Sequence, residues 1–111
     1  PWSEEAVAVC LIDRVRGMAP DECQFRLDIS FGPPPCYRQE VVGQACRVLG
    51  ADLLLYGSDR FLPCPGDHLR SAVDQAQGVL DTLGITDAER RKILSQNALS
   101  WLGLEPREDE R

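Results

Sequence analysis

The chain has 111 residues, 43% of them apolar, which suits one domain with a core of modest size. Its 18 acidic residues outnumber 12 basic ones for a formal charge of −6, a balance that serves solubility and argues against nucleic acid as a partner. No apolar run approaches the roughly 20 residues of a membrane span, and the start Pro1-Trp2-Ser3-Glu4-Glu5 lacks the basic region of a signal peptide, so a cytoplasmic location is expected.

Ser3 followed by Glu4 and Glu5 predicts a helix start, because a hydroxyl caps free amides and acids suit the positive end of the helix dipole. Val7, Cys10, Leu11, Val15 and Met18 then form one apolar stripe, which Gly17 and Pro20 end. The period changes to two where Phe25, Leu27 and Ile29 alternate with Arg26, Asp28 and Ser30, predicting a strand from Phe25 to Ser30. Phe31-Gly32-Pro33-Pro34-Pro35 is a stiff connection that presets the next helix. That helix shows Tyr37, Val41, Ala45 and Val48 as its stripe and Gly50 as its C-cap.

Leu53 to Tyr56 is a short continuous apolar run, read as a buried second strand that stops at Gly57-Ser58-Asp59. After a loop from Arg60 to Gly66, a helix capped near Asp67 turns Leu69, Val73, Ala76, Leu80 and Leu83 inward and ends at Gly84. Thr86-Asp87-Ala88-Glu89 is a capping box opening a further helix that carries Ile93 and Leu94, with Leu99 and Leu102 as further inward candidates. The charged tail 105–111 is expected to fray, leaving residues 1–104 as the folded part.

The order helix, strand, helix, strand, helix, helix has connections of the length used in parallel βα units. Two parallel strands leave unpaired edges and an incompletely covered sheet, so the pattern is that of a slice of a larger α/β protein.

Asp59 leads the candidate site residues, because it stands where a buried strand gives way to a loop, the place where α/β proteins collect chemistry. It suits a general base, an oxygen ligand to a divalent metal, or a turn-capping carboxylate. Arg60 suits a bidentate clamp on a substrate carboxylate, a partner for Asp59, or a solvated cation. Ser30, at the end of the first strand, suits either the same pocket or a turn hydrogen bond. His68 is the only histidine and reads as a solvated or capping side chain, so no complete histidine-based metal site forms within this sequence. Asn97 interrupts a helical pattern and is expected to bond neighbouring backbone. Cys10, Cys23, Cys36, Cys46 and Cys64 are odd in number, widely spaced and without a CxxC pair, so they read as small thiols in a reducing compartment. Walker, Gly-x-Gly-x-x-Gly and nucleophile-elbow patterns do not occur.

Leu27-Asp28-Ile29-Ser30, Gly50-Ala51-Asp52 running into Leu54-Leu55-Tyr56-Gly57-Ser58-Asp59, and Leu83 to Ala98, with Ile93-Leu94-Ser95-Gln96-Asn97-Ala98 at its end, share an order and spacing. Together, over about Gln24 to Leu104, they resemble the C-terminal end of the amidohydrolase-related family of metal-dependent hydrolases, the branch with aminocarboxymuconate-semialdehyde decarboxylase-like enzymes. The resemblance implies the C-terminal βα units of a (β/α)₈ barrel, about two parallel strands and four helices, with Phe25 to Ser30 as the seventh strand and Leu53 to Tyr56 as the eighth. It implies that Asp59 is the last-strand acid beside a divalent metal, zinc by preference, acting on a small carboxylated or cyclic substrate by hydrolysis or decarboxylation. Arg60 departs from the aromatic that often follows that acid.

Because a barrel needs about 250 residues, the expectation is a fragment that keeps the acid and lacks the His-x-His metal partners, inactive alone and without stoichiometric zinc. The competing expectation is a non-catalytic interaction module whose exposed strand edges self-associate or complement a separate N-terminal half.

Overall fold

A computed structural model of the chain describes residues 2–29, 35–59 and 63–104. The expectations for Ser30, Phe31, Arg60 and the tail 105–111 lie outside those residues.

Helix α1 runs Trp2–Val15, so Ser3 falls inside its first turn rather than ahead of it. Val7 and Cys10 are buried and Leu11 and Met18 pack beside them, but Val15 is 82% exposed. Five residues on from Cys10 is about 140° around a helix, which carries Val15 off the core face. Asp13 occupies the buried side in its place, with its Oδ2 accepting from the Gln24 N–H at 2.8 Å. That bond ties α1 to the segment entering the first strand, and a stripe drawn from apolar residues alone passes over it.

The strands are shorter than the alternation predicts. β1 is Leu27–Asp28 and β2 is Leu54–Leu55, paired in parallel with Leu27 opposite Leu54 and Asp28 opposite Leu55. The Ile29 N–H donates to the Leu55 carbonyl at 2.9 Å, so bonding runs one residue further. Ahead of β1, the Arg26 guanidinium donates to the carbonyls of Cys23 at 2.6 Å, Phe25 at 3.0 Å and Pro20 at 3.1 Å. It thereby ties this segment back to the turn at 20–23, and strand pairing begins only at Leu27. Ahead of β2, a 3₁₀ turn occupies Ala51–Leu53.

Helix α2, Pro35–Leu49, buries Val42, Ala45 and Leu49, while Val41 is half-buried and Val48 is exposed. The face is rotated by one residue from the predicted stripe. Helix α3, Gly66–Thr82, has Pro65 at its N-cap position and Asp67 within its first turn. It buries Ala72 and Leu80, keeps Val73, Ala76 and Leu83 half-buried, and leaves Leu69 exposed.

Gly84, at φ 73°, ends α3 in a left-handed cap in which the Ile85 N–H donates to Leu80 at 3.1 Å and the Gly84 N–H to Asp81 at 3.0 Å. Nothing lies within 4 Å of a Cβ built on Gly84, so Gly84→Ala tests backbone conformation without crowding. It is expected to lower stability by about 1–2 kcal/mol, measured as a fall in the urea midpoint at constant slope, and an unmoved midpoint would refute the cap.

A continuous helical run follows: α4 Asp87–Arg91, a π turn Lys92–Gln96 and α5 Asn97–Trp101. Its capping box is as predicted, with the Glu89 N–H donating to the Thr86 hydroxyl oxygen at 3.2 Å and the Thr86 N–H to Glu89 at 3.4 Å. Ile93 is buried and Leu94 and Leu99 half-buried, but Leu102 is 67% exposed beyond the end of α5.

One core joins these elements, with Val7 and Cys10 from α1, Leu27 and Ile29, Val42, Ala45 and Leu49 from α2, Leu53 and Leu54, Leu80 and Ile93. Since side chains alternate along a strand, Leu27 and Ile29 face this core while Asp28 points to the other side of the sheet and is exposed. Helix-rich α/β architecture with two parallel strands is the pattern of consecutive βα units of an α/β barrel. Among the described residues no helix is long and apolar enough to cross a membrane.

Candidate functional site at the carboxyl end of the second strand

Leu53 and Leu54 are completely buried and anchor the chain. The chain then emerges through Gly57 and Ser58, both half-buried, to an exposed Asp59. Asp59 has φ 54°, the one described non-glycine residue with positive φ. Left-handed backbone costs most residues 1–2 kcal/mol, and aspartate is among the few that adopt it readily.

Asp28, opposite Leu55 on the sheet face away from the core, is a second acid near this end that the sequence pattern treats only as the polar half of an alternation. Ser30 and Arg60 lie outside the described residues, so Asp59 is the one predicted site residue placed here. His68 is exposed in the first turn of α3, its backbone N–H donating to the Pro65 carbonyl at 3.0 Å.

Asp59 offers a single carboxylate for a metal. Among the described residues no group of three or more histidine, cysteine, aspartate or glutamate side chains is placed to hold an ion. The described donor set by itself therefore does not fit a metal centre. Cys10, Cys23, Cys46 and Cys64 are free thiols. Burial pushes the Cys10 thiol above its ordinary range and does the same at Cys46, where Glu89 adds to the effect. Both stay protonated at neutral pH and are poor nucleophiles.

The helical run after α3 meets β2 along the strand's outer edge. In a parallel pair one residue directs both backbone groups to its neighbour strand and the next directs both away. Leu55 faces β1, so Leu54 and Tyr56 face outward. There the Asn97 side-chain amide donates to the Leu54 carbonyl at 2.9 Å and to the Ala51 carbonyl at 2.7 Å. The Tyr56 N–H donates to the Ile93 carbonyl at 2.9 Å.

The π turn makes the last bond geometrically available. The Asn97 N–H bonds the Lys92 carbonyl, five residues back, and so leaves the Ile93 carbonyl that an α-helix would have given it. Asn97 thus bonds backbone 43 and 46 residues away rather than its neighbours. The visible signal is a carboxamide within an otherwise apolar helical pattern.

A polar cleft of about 290 Å³ is lined by Pro20, Asp21, Arg26, Asp52, Asn97 and Ser100. Arg26 and Asp52 precede β1 and β2, so this cleft lies at the amino ends of the strands, the face of barrels given to stability rather than catalysis. Two of its charges are engaged: Arg26 serves the three carbonyls and lies 5.5 Å from the centre of the Trp101 ring, and Lys92 Nζ meets Asp52 Oδ1 at 2.8 Å. That hydrogen bond and charge hold Lys92 above the usual lysine range. The pair's stabilisation is therefore complete below the unfolded lysine pKa and is lost as pH rises through the higher folded value. With both side chains nearly half exposed, it contributes no more than about 1 kcal/mol.

Parallel strands with helical crossovers and an acid just beyond the carboxyl end of the second strand have the form of a piece of an α/β barrel. The sequence model of the amidohydrolase family matches residues 6–104, through both strands and on past Asn97, and the chain belongs to that family. No curated protein and no solved structure gives a significant match to the chain.

Proposed function

We propose that this chain supplies the last-strand portion of an amidohydrolase-family active site, with Asp59 as its catalytic acid. The observation that carries this reading is the left-handed, exposed Asp59 directly after the buried β2. A carboxylate there accepts a proton from the attacking group and returns it to the leaving group.

Arg60, next in the chain, suits a bidentate grip on a substrate carboxylate, and Ser30, following β1, suits a hydrogen bond to the same substrate. That pairing of groups favours a small carboxylated or cyclic substrate, and a carboxylated one leaves decarboxylation open beside hydrolysis. The family generally uses divalent metals. In the proposal Asp59 is also a ligand to such an ion, zinc by preference, completed by donors other than the described residues. Its test is Asp59→Asn in a full-length member of the family carrying this segment, where loss of turnover without loss of stability is expected.

The second reading, an interaction module, draws on the two-stranded sheet. Among the described residues the outer edge of β1 meets no further strand, and such edges invite pairing with another chain. Gel filtration of the 111-residue chain over a concentration series decides the matter: a dimer that responds to a proline at Asp28 supports it, and a monomer throughout removes it.

A further inference from the structure

The residue argued for here, Asn97, serves the site at Asp59 and so rests on the reading of Asp59 given above. We propose that Asn97 and the Ile93 carbonyl act as a substitute neighbouring strand for β2, making Asn97 a positioning residue for the Gly57-Ser58-Asp59 exit.

β2 has two paired residues, too few for a single ladder to hold its direction. On its inner side Leu55 accepts from Ile29. On its outer side the groups a second ladder would use, the Leu54 carbonyl and the Tyr56 N–H, are taken by the Asn97 amide and the Ile93 carbonyl. The Asn97 nitrogen has two N–H groups and spends one on each of two carbonyls, Ala51 before the strand and Leu54 within it. Tyr56 is held at the far end, three residues before Asp59. The strand is thus gripped at both ends by one helix, which fixes the line along which the chain leaves the sheet. Ile93 is buried to 1% exposure, so its carbonyl is carried on an anchored residue.

The π turn is what allows both grips at once. It releases the Ile93 carbonyl and sets Asn97 at the phase needed to reach Ala51 and Leu54. Positioning of this kind acts through backbone, because the Asn97 side chain bonds the Ala51 and Leu54 carbonyls, ahead of the Gly57-Ser58-Asp59 exit.

Amide hydrogen exchange by NMR on the 111-residue chain tests this without any assay of catalysis, so its failure is separable from failure of the Asp59 assignment. In the wild type the Tyr56 amide is expected to exchange slowly although it lies beyond the paired residues. Fast exchange there would overturn the proposal whether or not variants fold. In Asn97→Ala and Asn97→Asp, exchange at Tyr56 and Gly57 is expected to accelerate by about tenfold or more, with the amides of Val42 and Ala45 in α2 changing less. Asn97→Gln, which keeps the donors on a longer arm, is expected to restore part of the protection. A uniform rise at all of these amides, or none at Tyr56, would reduce Asn97 to a general stabiliser and sink the positioning role.

Discussion

Asp59→Asn, made in a full-length amidohydrolase-family protein that carries this segment, lowers turnover by about 10²–10⁴-fold, the range associated with a general acid–base group. The melting temperature stays within about 2 °C, because the mutation removes a charge without removing volume or changing backbone preference. Two structural facts make Asn the informative substitution. Asp59 is exposed, so no buried partner is stranded when the charge goes. It also sits at φ 54°, and asparagine enters left-handed backbone as readily as aspartate. Asp59→Ala would mix the chemical loss with about 1 kcal/mol of backbone strain. Undiminished turnover in the Asn variant would remove Asp59 from the catalytic machinery. Turnover and melting temperature falling together would mean that the residue serves the fold.

Leu54→Ala is expected to produce the largest change in stability, about 2–5 kcal/mol. Leu54 is completely buried, stands opposite Leu27 across the two-stranded sheet, and joins helices to strands in the shared core. Among the described residues the sheet is two strands wide, so no further strand stands beside β2 to close the space left behind. Domains hold together by about 5–15 kcal/mol in total, so this one truncation takes a large share. Leu69→Ala, on the exposed side of α3, is the matched control and should cost less than about 1 kcal/mol. Urea unfolding of both variants checks the pair, and equal shifts would show that the core has been assigned to the wrong leucines.

The element order and the place of Asp59 were readable from the amino-acid sequence because each rests on local chemistry. A capping box needs only Thr86 and Glu89 three residues apart, and both of its bonds form. The Gly57-Ser58-Asp59 ending names a turn, and the structure puts a left-handed residue there. The buried face of α2 was not readable, because 41, 45 and 48 and 42, 45 and 49 both obey helical spacing. Both sets are apolar, and the sheet and α1 decide between them by burying Val42 and Leu49.

Asp13 was passed over, and Asn97 was given the wrong partners, for a related reason. Each is a polar residue whose partner is distant in sequence, Gln24 for one and Ala51 and Leu54 for the other. Patterning sorts residues by hydrophobicity and has no means of pairing a carboxamide with a carbonyl 46 positions away. The strands were overestimated because alternation at Phe25 and Arg26 is genuine in the sequence, yet pairing starts only at Leu27, and Arg26 spends its donors on the nearby turn.

The π turn at Lys92–Gln96 makes chain length there as constrained as residue identity. A π turn holds one residue more than the α-helical path it replaces. Deleting one residue between 92 and 96 would let the helix relax to α geometry with little loss of helical content and keep what lies beyond it in phase, because the shorter α path replaces the π turn. Asn97 would keep Ala51 and Leu54 within reach, but the carbonyl that meets the Tyr56 N–H would return to the helix ladder, and that part of the β2 edge would lie open. In this stretch a single-residue deletion should cost the Tyr56 bond that a substitution at a half-buried side chain such as Ser95 leaves in place, so the count of residues from Thr86 to Asn97 is itself part of what the sequence encodes.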